Sequence, residues 1–91
     1  MIGHDAPTEI TWRGRRTIHC HLVADTVDEL HTAAGDIGLA RNWYQVPGEV
    51  FYPHYDVISK RLVERTCRLV PLLEGRELIA MAKRCREDAA R

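Results

Sequence analysis

Histidine and aspartate gather in three short segments of this 91-residue chain: His19-Cys20-His21-Leu22-Val23-Ala24-Asp25, Asp28-Glu29-Leu30-His31 and His54-Tyr55-Asp56. Imidazoles and carboxylates are the groups that bind metal ions and move protons near neutral pH. Each segment lies beside an expected structural element that can bring it to a common pocket. With His21 at a strand end, His31 on the next helix, and His54 and Asp56 on an ordered loop, these four could hold Zn²⁺, Mn²⁺ or Ni²⁺. Asp25 or Tyr55 would then orient the ligands from behind. A metal with an open position would activate water for hydrolysis, for instance of a phosphodiester. The spacing matches no known zinc signature, since neither HExxH nor a Cys/His knuckle is present.

Other chemistries compete for the same residues. Asp25 can simply help cap a helix, His31 can bond a backbone carbonyl, and His54 and Asp56 can bond each other. A metal-free enzyme would use His54 with Asp56 as an oriented base and Cys20 as nucleophile, but Cys20 is expected to face the core. Trp12-Arg13-Gly14-Arg15-Arg16 could grip phosphates through its arginines and stack a base on Trp12. Lys60, Arg61, Arg65 and Arg68 would extend that footprint if they fold onto the same side. Trp43, Tyr44, Phe51, Tyr52 and Tyr55 would suit a protein-contact patch. The leading expectation is an accessory protein that binds a macromolecule through a His/Asp pocket and an aromatic loop. A protein partner ranks before a nucleic acid. A metal-dependent hydrolase and a nucleic-acid module are the alternatives.

The elements that must position these groups follow from periodicity. Thr17–Val23 reads as a strand with Ile18, Cys20 and Leu22 on one face and His19 and His21 on the other. Thr26-Val27-Asp28-Glu29 fits a capping box, Val27, Leu30, Ala34 and Ile37 give a helical stripe, and Gly38 closes the helix. Asn42–Val46 reads as a second strand and Pro47-Gly48 as a turn. Phe51–Asp56, aromatic and broken by Pro53, reads as a loop. A helix over 59–68 should turn Val63 and Cys67, with Leu62 and Thr66, inward. Leu69–Leu73 reads as a short buried strand, at an edge or irregular at Pro71, which has no amide to donate. A last helix from Arg76 carries Leu78, Met81, Ala82 and Cys85. Residues 1–11 are weakly patterned, and 86–91 should fray. The alternation favours a single small α/β domain spanning residues 1–91, with three or four short strands, about three helices and a mainly parallel or mixed sheet.

Composition narrows the classes further. Hydrophobic residues make up 45% and charged residues 29% of the chain, as in an ordinary globular domain rather than a disordered one. No apolar run is long enough to span a bilayer, so no membrane partner is expected. Three widely spaced cysteines without a CxxC pair fit reduced thiols in a cytoplasm. Net charge is zero, yet residues 1–56 hold four Lys/Arg against eight Asp/Glu, and residues 57–91 hold nine against five. Such a bipolar chain could form a head-to-tail homodimer.

His21-Leu22-Val23-Ala24-Asp25, Glu29-Leu30-His31, Gly38-Leu39, Trp43-Tyr44-Gln45 and His54-Tyr55-Asp56 together resemble the small bacterial and phage proteins grouped as domain of unknown function 4031. Order and rough spacing hold from about Asp5 to Arg61, and Gly75-Arg76-Glu77-Leu78 resembles the start of that family's final helix. The family usually opens with a short apolar strand ending in paired acids; here Ile2-Gly3-His4-Asp5 stands in that place, with His4 where an acid is commoner. The resemblance implies that His21, Asp25, His31, His54, Tyr55 and Asp56 form a shared polar signature. It also implies a bacterial or phage-infected cytoplasm. It carries no known activity.

Overall fold

The ten residues Arg15–Ala24 form the longest strand, and the other strands are placed against it. The computed structural model describes residues 1–45 and 52–91. In chain order these form β1 (Ile2–His4), β2 (Thr8–Trp12), β3 (Arg15–Ala24), α1 (Val27–Ile37), a 3-10 turn at Arg41–Trp43, β4 (Tyr44–Gln45), β5 (His54–Ile58), α2 (Lys60–Leu69) and α3 (Gly75–Ala89). Every strand pairing is antiparallel. The sheet runs β1-β3-β5-β4, with β2 also paired to β3. His19 pairs with both Thr8 and Ile58, so β2 lies on the opposite side of β3 from β5.

This corrects the expectation of three or four strands in a mainly parallel or mixed sheet: the described residues form five, paired antiparallel. The difference begins at Trp12-Arg13-Gly14-Arg15, which is a two-residue hairpin turn with Trp12 opposite Arg15. Positive φ angles of 52° at Arg13 and 80° at Gly14 give it the twist that suits antiparallel strands. Residues 1–11, expected to be irregular, therefore supply β1 and most of β2. β2 is exposed on both faces except at Ile10, so it carries no apolar alternation to betray it. The other correction is His54–Asp56, read as part of a loop with some extended character and found in a strand, His54–Ile58, paired to both β3 and β4. The Leu69–Leu73 strand reduces to one parallel bridge between Leu72 and His4. Pro47-Gly48, Val46 and Phe51 lie outside the described residues.

The helices form where the sequence places them. Thr26 Oγ1 accepts from the Glu29 amide, and Gly38, at φ 98°, closes α1 with its amide bonded to the Ala34 carbonyl. Ser59 caps α2 through the Leu62 amide. The last helix reaches Ala89 instead of fraying at 86, because its end is tied down: Asp88 accepts from the Val27 amide at the start of α1. Among the described residues no helix is long and apolar enough to cross a membrane.

One face of the sheet, carrying Cys20, Leu22, Ala24, Tyr55 and Val57, packs against Leu30, Ala33, Ala34 and Ile37 of α1 and Val63 of α2. Cys67, expected to point inward, is exposed, whereas Thr66, expected inward with it, is buried and bonds its hydroxyl to the Leu62 carbonyl. Among the described residues the opposite face is covered at one end, where Val23 meets Leu73 and Met81. Gly3 fits there because a Cβ on it would come within 2.2 Å of Leu73 Cδ1 and 2.5 Å of Leu73 Cγ. Gly3→Ala should therefore cost about 1–3 kcal/mol through overpacking. Urea denaturation reads it, and an unchanged midpoint would contradict this packing.

Candidate metal centre and adjoining groove

The uncovered part of the second face carries the polar residues. Alternation along β5 turns Tyr55 and Val57 into the core and His54 and Asp56 outward. Alternation along β3 does the same for His19 and His21, and the register sets His21 directly opposite Asp56. The result is a cluster of His21, His54 and Asp56 whose candidate ligand atoms lie within 4.8 Å of one another. His21 Nε2 is 3.5 Å and His54 Nε2 3.3 Å from Asp56 Oδ1. The His21 and His54 rings meet edge to face, with centroids 5.2 Å apart.

Both imidazoles are held from behind. His21 Nδ1 lies 2.7 Å from Asp5 Oδ2, and the His21 amide donates to Asp5 Oδ1 at 2.6 Å. His54 Nδ1 lies 2.7 Å from the Tyr52 carbonyl. A carboxylate and a carbonyl only accept, so in both rings Nδ1 carries the hydrogen. In the neutral rings both Nε2 lone pairs then point at the Asp56 carboxylate. Three acceptors in contact repel unless a positive charge joins them, whether a proton on a ring or a metal ion. Burial pushes the Asp5 carboxyl up, but its two hydrogen bonds from His21 outweigh this and hold it below its ordinary value. The same bond raises the His21 ring above its ordinary value, against the opposing effect of burial.

Asp5 was no part of the expected site, and a bulge delivers it. Asp5 donates its amide to the His21 carbonyl and Thr8 pairs with His19, so Ala6 and Pro7 together face Cys20. Pro7, with no amide to give, fits such a break in the ladder, and bulges re-aim side chains next to sites. His19, named among the histidines but not among the ligands, stands beside the cluster with its ring 5.2 Å from that of His21 and Nδ1 3.1 Å from Thr8 Oγ1.

The remaining expected site residues lie elsewhere. His31 is on the other side of the sheet, where Nδ1 shares a 2.7 Å hydrogen bond with the Tyr55 hydroxyl and the ring meets Tyr44. Tyr55 is fully buried there. Asp25 accepts from Arg84 at 2.7 Å and pairs with the amino terminus, far from a role behind the ligands. Tyr44 packs on Tyr55 beneath Arg41, and Tyr52 lies under Arg86. Cys20 is buried on the core face, and burial pushes its thiol up to about 12. This removes it as a nucleophile at neutral pH.

His31 gives a pH test of this placement. Burial, then the positive charge of Arg41, hold its ring below the ordinary 6.5, against the pull of Asp28; Tyr44 and Tyr55 are its neutral neighbours. The unfolded chain therefore takes up the proton first as pH falls. The His31 contribution is full above the unfolded value of 6.5 and is lost on acidification through it. His31→Gln keeps a partner for Tyr55 but does not titrate, so it should flatten the fall in stability between about pH 7 and 5. Urea midpoints across that range check it; an unchanged slope would count against it.

Five residues expected to bind a partner do converge. Trp12, Arg13, Arg15, Arg16 and Trp43 line one groove of about 630 Å³, together with Gln45, Ser59 and Asp56. The groove thus reaches the His21, His54 and Asp56 cluster through Asp56. Lys60, Arg61, Arg65 and Arg68 do not line it, because α2 packs on the other face, where Arg65 bonds the Asp36 carbonyl.

No curated protein and no solved structure matches this chain. The model of a family described as proteins of unknown function, DUF4031, matches residues 7–84, and the chain belongs to that family.

Proposed function

We propose that this protein holds a divalent transition-metal ion on His21, His54 and Asp56 and hydrolyses a phosphodiester there. The observation that carries the reading is the meeting of two imidazole Nε2 atoms and a carboxylate, each ring fixed through Nδ1. Ligands at about 2.0–2.2 Å from a tetrahedral ion lie roughly 3.3–3.5 Å from one another, and the distances of 3.3 and 3.5 Å to Asp56 fit that spacing. Two nitrogens and one oxygen suit Zn²⁺, Mn²⁺ or Ni²⁺ and leave coordination positions for water and substrate.

The bound ion would lower the pKa of its water to near neutrality. Asp5 and the Tyr52 carbonyl keep the two rings in the ligating tautomer. Arg13 and Arg15, in the groove that begins at Asp56, supply positive charge for the non-bridging phosphate oxygens. Water oxygen bonds to phosphorus and one P–O ester bond breaks. One proton of the water goes to the departing alkoxide and the other remains with the phosphomonoester.

The test is hydrolysis of bis(p-nitrophenyl) phosphate by chelator-treated protein titrated with each of the three ions. Activity should return with at least one ion, saturate near one equivalent, and be absent in Asp56→Ala. No turnover with any ion, or equal turnover in Asp56→Ala, would overturn the hydrolase reading.

A further inference from the structure

We infer that the groove beside the metal cluster binds single-stranded nucleic acid, with bases stacked on Trp12 and Trp43 and flanking phosphates held by Arg13 and Arg15. Cleavage of that strand at Asp56 would rest on the hydrolase reading; binding does not. Four features converge on one surface. Trp12 and Trp43 are 47% and 41% exposed, large apolar surfaces left in water within a groove that also carries arginines. Arg13 lies over the Trp12 ring at 5.8 Å, extending a flat platform of the kind on which bases stack. Among the described residues no carboxylate pairs with Arg13 or Arg15, whereas Arg16 bonds Glu9. These two guanidinium groups are therefore the ones available to phosphate, in a chain whose net charge is zero.

The backbone supplies the fourth feature. Among the described residues the two non-glycine positions with positive φ, Arg13 at 52° and Ser59 at 110°, both line this groove. Asn or Asp would occupy the Arg13 position of such a turn at lower cost. Arginine there projects a guanidinium from the hairpin tip, and strain of this kind gathers at ligand-holding sites. A single strand is the form that fits, since a base must leave its own stack to lie on indole. A duplex keeps its bases stacked and offers only phosphate.

The test is fluorescence anisotropy of a labelled 20-nucleotide oligothymidylate, in EDTA so that no metal contributes. Binding should weaken with salt along a log–log slope of about −1.4, as two neutralised phosphates give. Trp12→Ala and Trp43→Ala should each weaken it about tenfold. Arg15→Gln should bring the slope closer to zero by about 0.7. All three side chains are exposed, so the fold should survive; if a tryptophan variant melts early, Arg13→Gln with Arg15→Gln replaces it. No binding at low salt, unchanged affinity in the variants, or preference for the same sequence as duplex would overturn the inference. Because the assay excludes metal, strand binding without metal uptake would sink the hydrolase reading alone, and metal uptake without strand binding would sink the groove inference alone.

Discussion

Adding Zn²⁺, Mn²⁺ or Ni²⁺ to about a hundred times its dissociation constant should raise the melting temperature by about 10–20 °C. Binding to the native state alone at that excess contributes about 2.7 kcal/mol. In a domain of this size each kcal/mol moves the midpoint by about 4–8 °C. The hundredfold excess fixes the size of the shift; the site enters through Kd, which relief of the contact between two ring lone pairs and one carboxylate at 3.3 and 3.5 Å would lower. His54→Ala and Asp56→Ala should both lose the rise. Both positions lie on the open face, outside the buried cluster, so the variants should still fold. Differential scanning calorimetry with and without each ion measures this. An equal rise in wild type and variants would locate the ion elsewhere.

Asp5→Asn should weaken metal binding about ten- to hundredfold without removing a ligand. The Asp5 carboxylate accepts two hydrogen bonds from His21, one from the ring and one from the amide. An asparagine oxygen can keep the amide bond, but its NH₂ then faces the His21 Nδ1–H. The ring must rotate or change tautomer, which turns Nε2 from a lone pair into an N–H donor. A merely structural Asp5 would lower stability and leave affinity alone. Isothermal titration with the best-bound ion, beside a thermal melt, separates the two. Unchanged affinity with a lowered midpoint would contradict the orienting role.

Much of the scaffold was legible because it obeys simple periods. The β3 alternation, the Thr26–Glu29 cap and the Gly38 stop appear in the structure where the sequence puts them. Locally, His19 and His21 share a face for the same reason. The strand β5 was hidden by Pro53 and by the aromatic density around it, although His54-Tyr55-Asp56-Val57 already alternates polar and apolar. That alternation was the available signal, and it would have turned His54 and Asp56 together to one side.

The placement of His31 was also open to inference. The stripe of α1 must pack on the apolar face of β3, the Cys20/Leu22/Ala24 face. A histidine bordering that stripe therefore lies across the sheet from His21. Asp5 was beyond reach, because only the bulge at Ala6-Pro7, a property of the β1–β2–β3 pairing, brings it to His21. The convergence of Trp12 with Trp43 likewise depends on a hairpin tip meeting the 3-10 turn, a long-range contact that no local period encodes.

Elemental analysis of protein purified without an affinity tag, beside His21→Ala and His54→Ala, tests the metal centre most directly. Close to one Zn, Mn or Ni per chain is expected after equilibration with the three ions, and none in either variant while both still melt cooperatively. Wild-type protein that takes up no ion, or variants that hold as much as wild type, would contradict it.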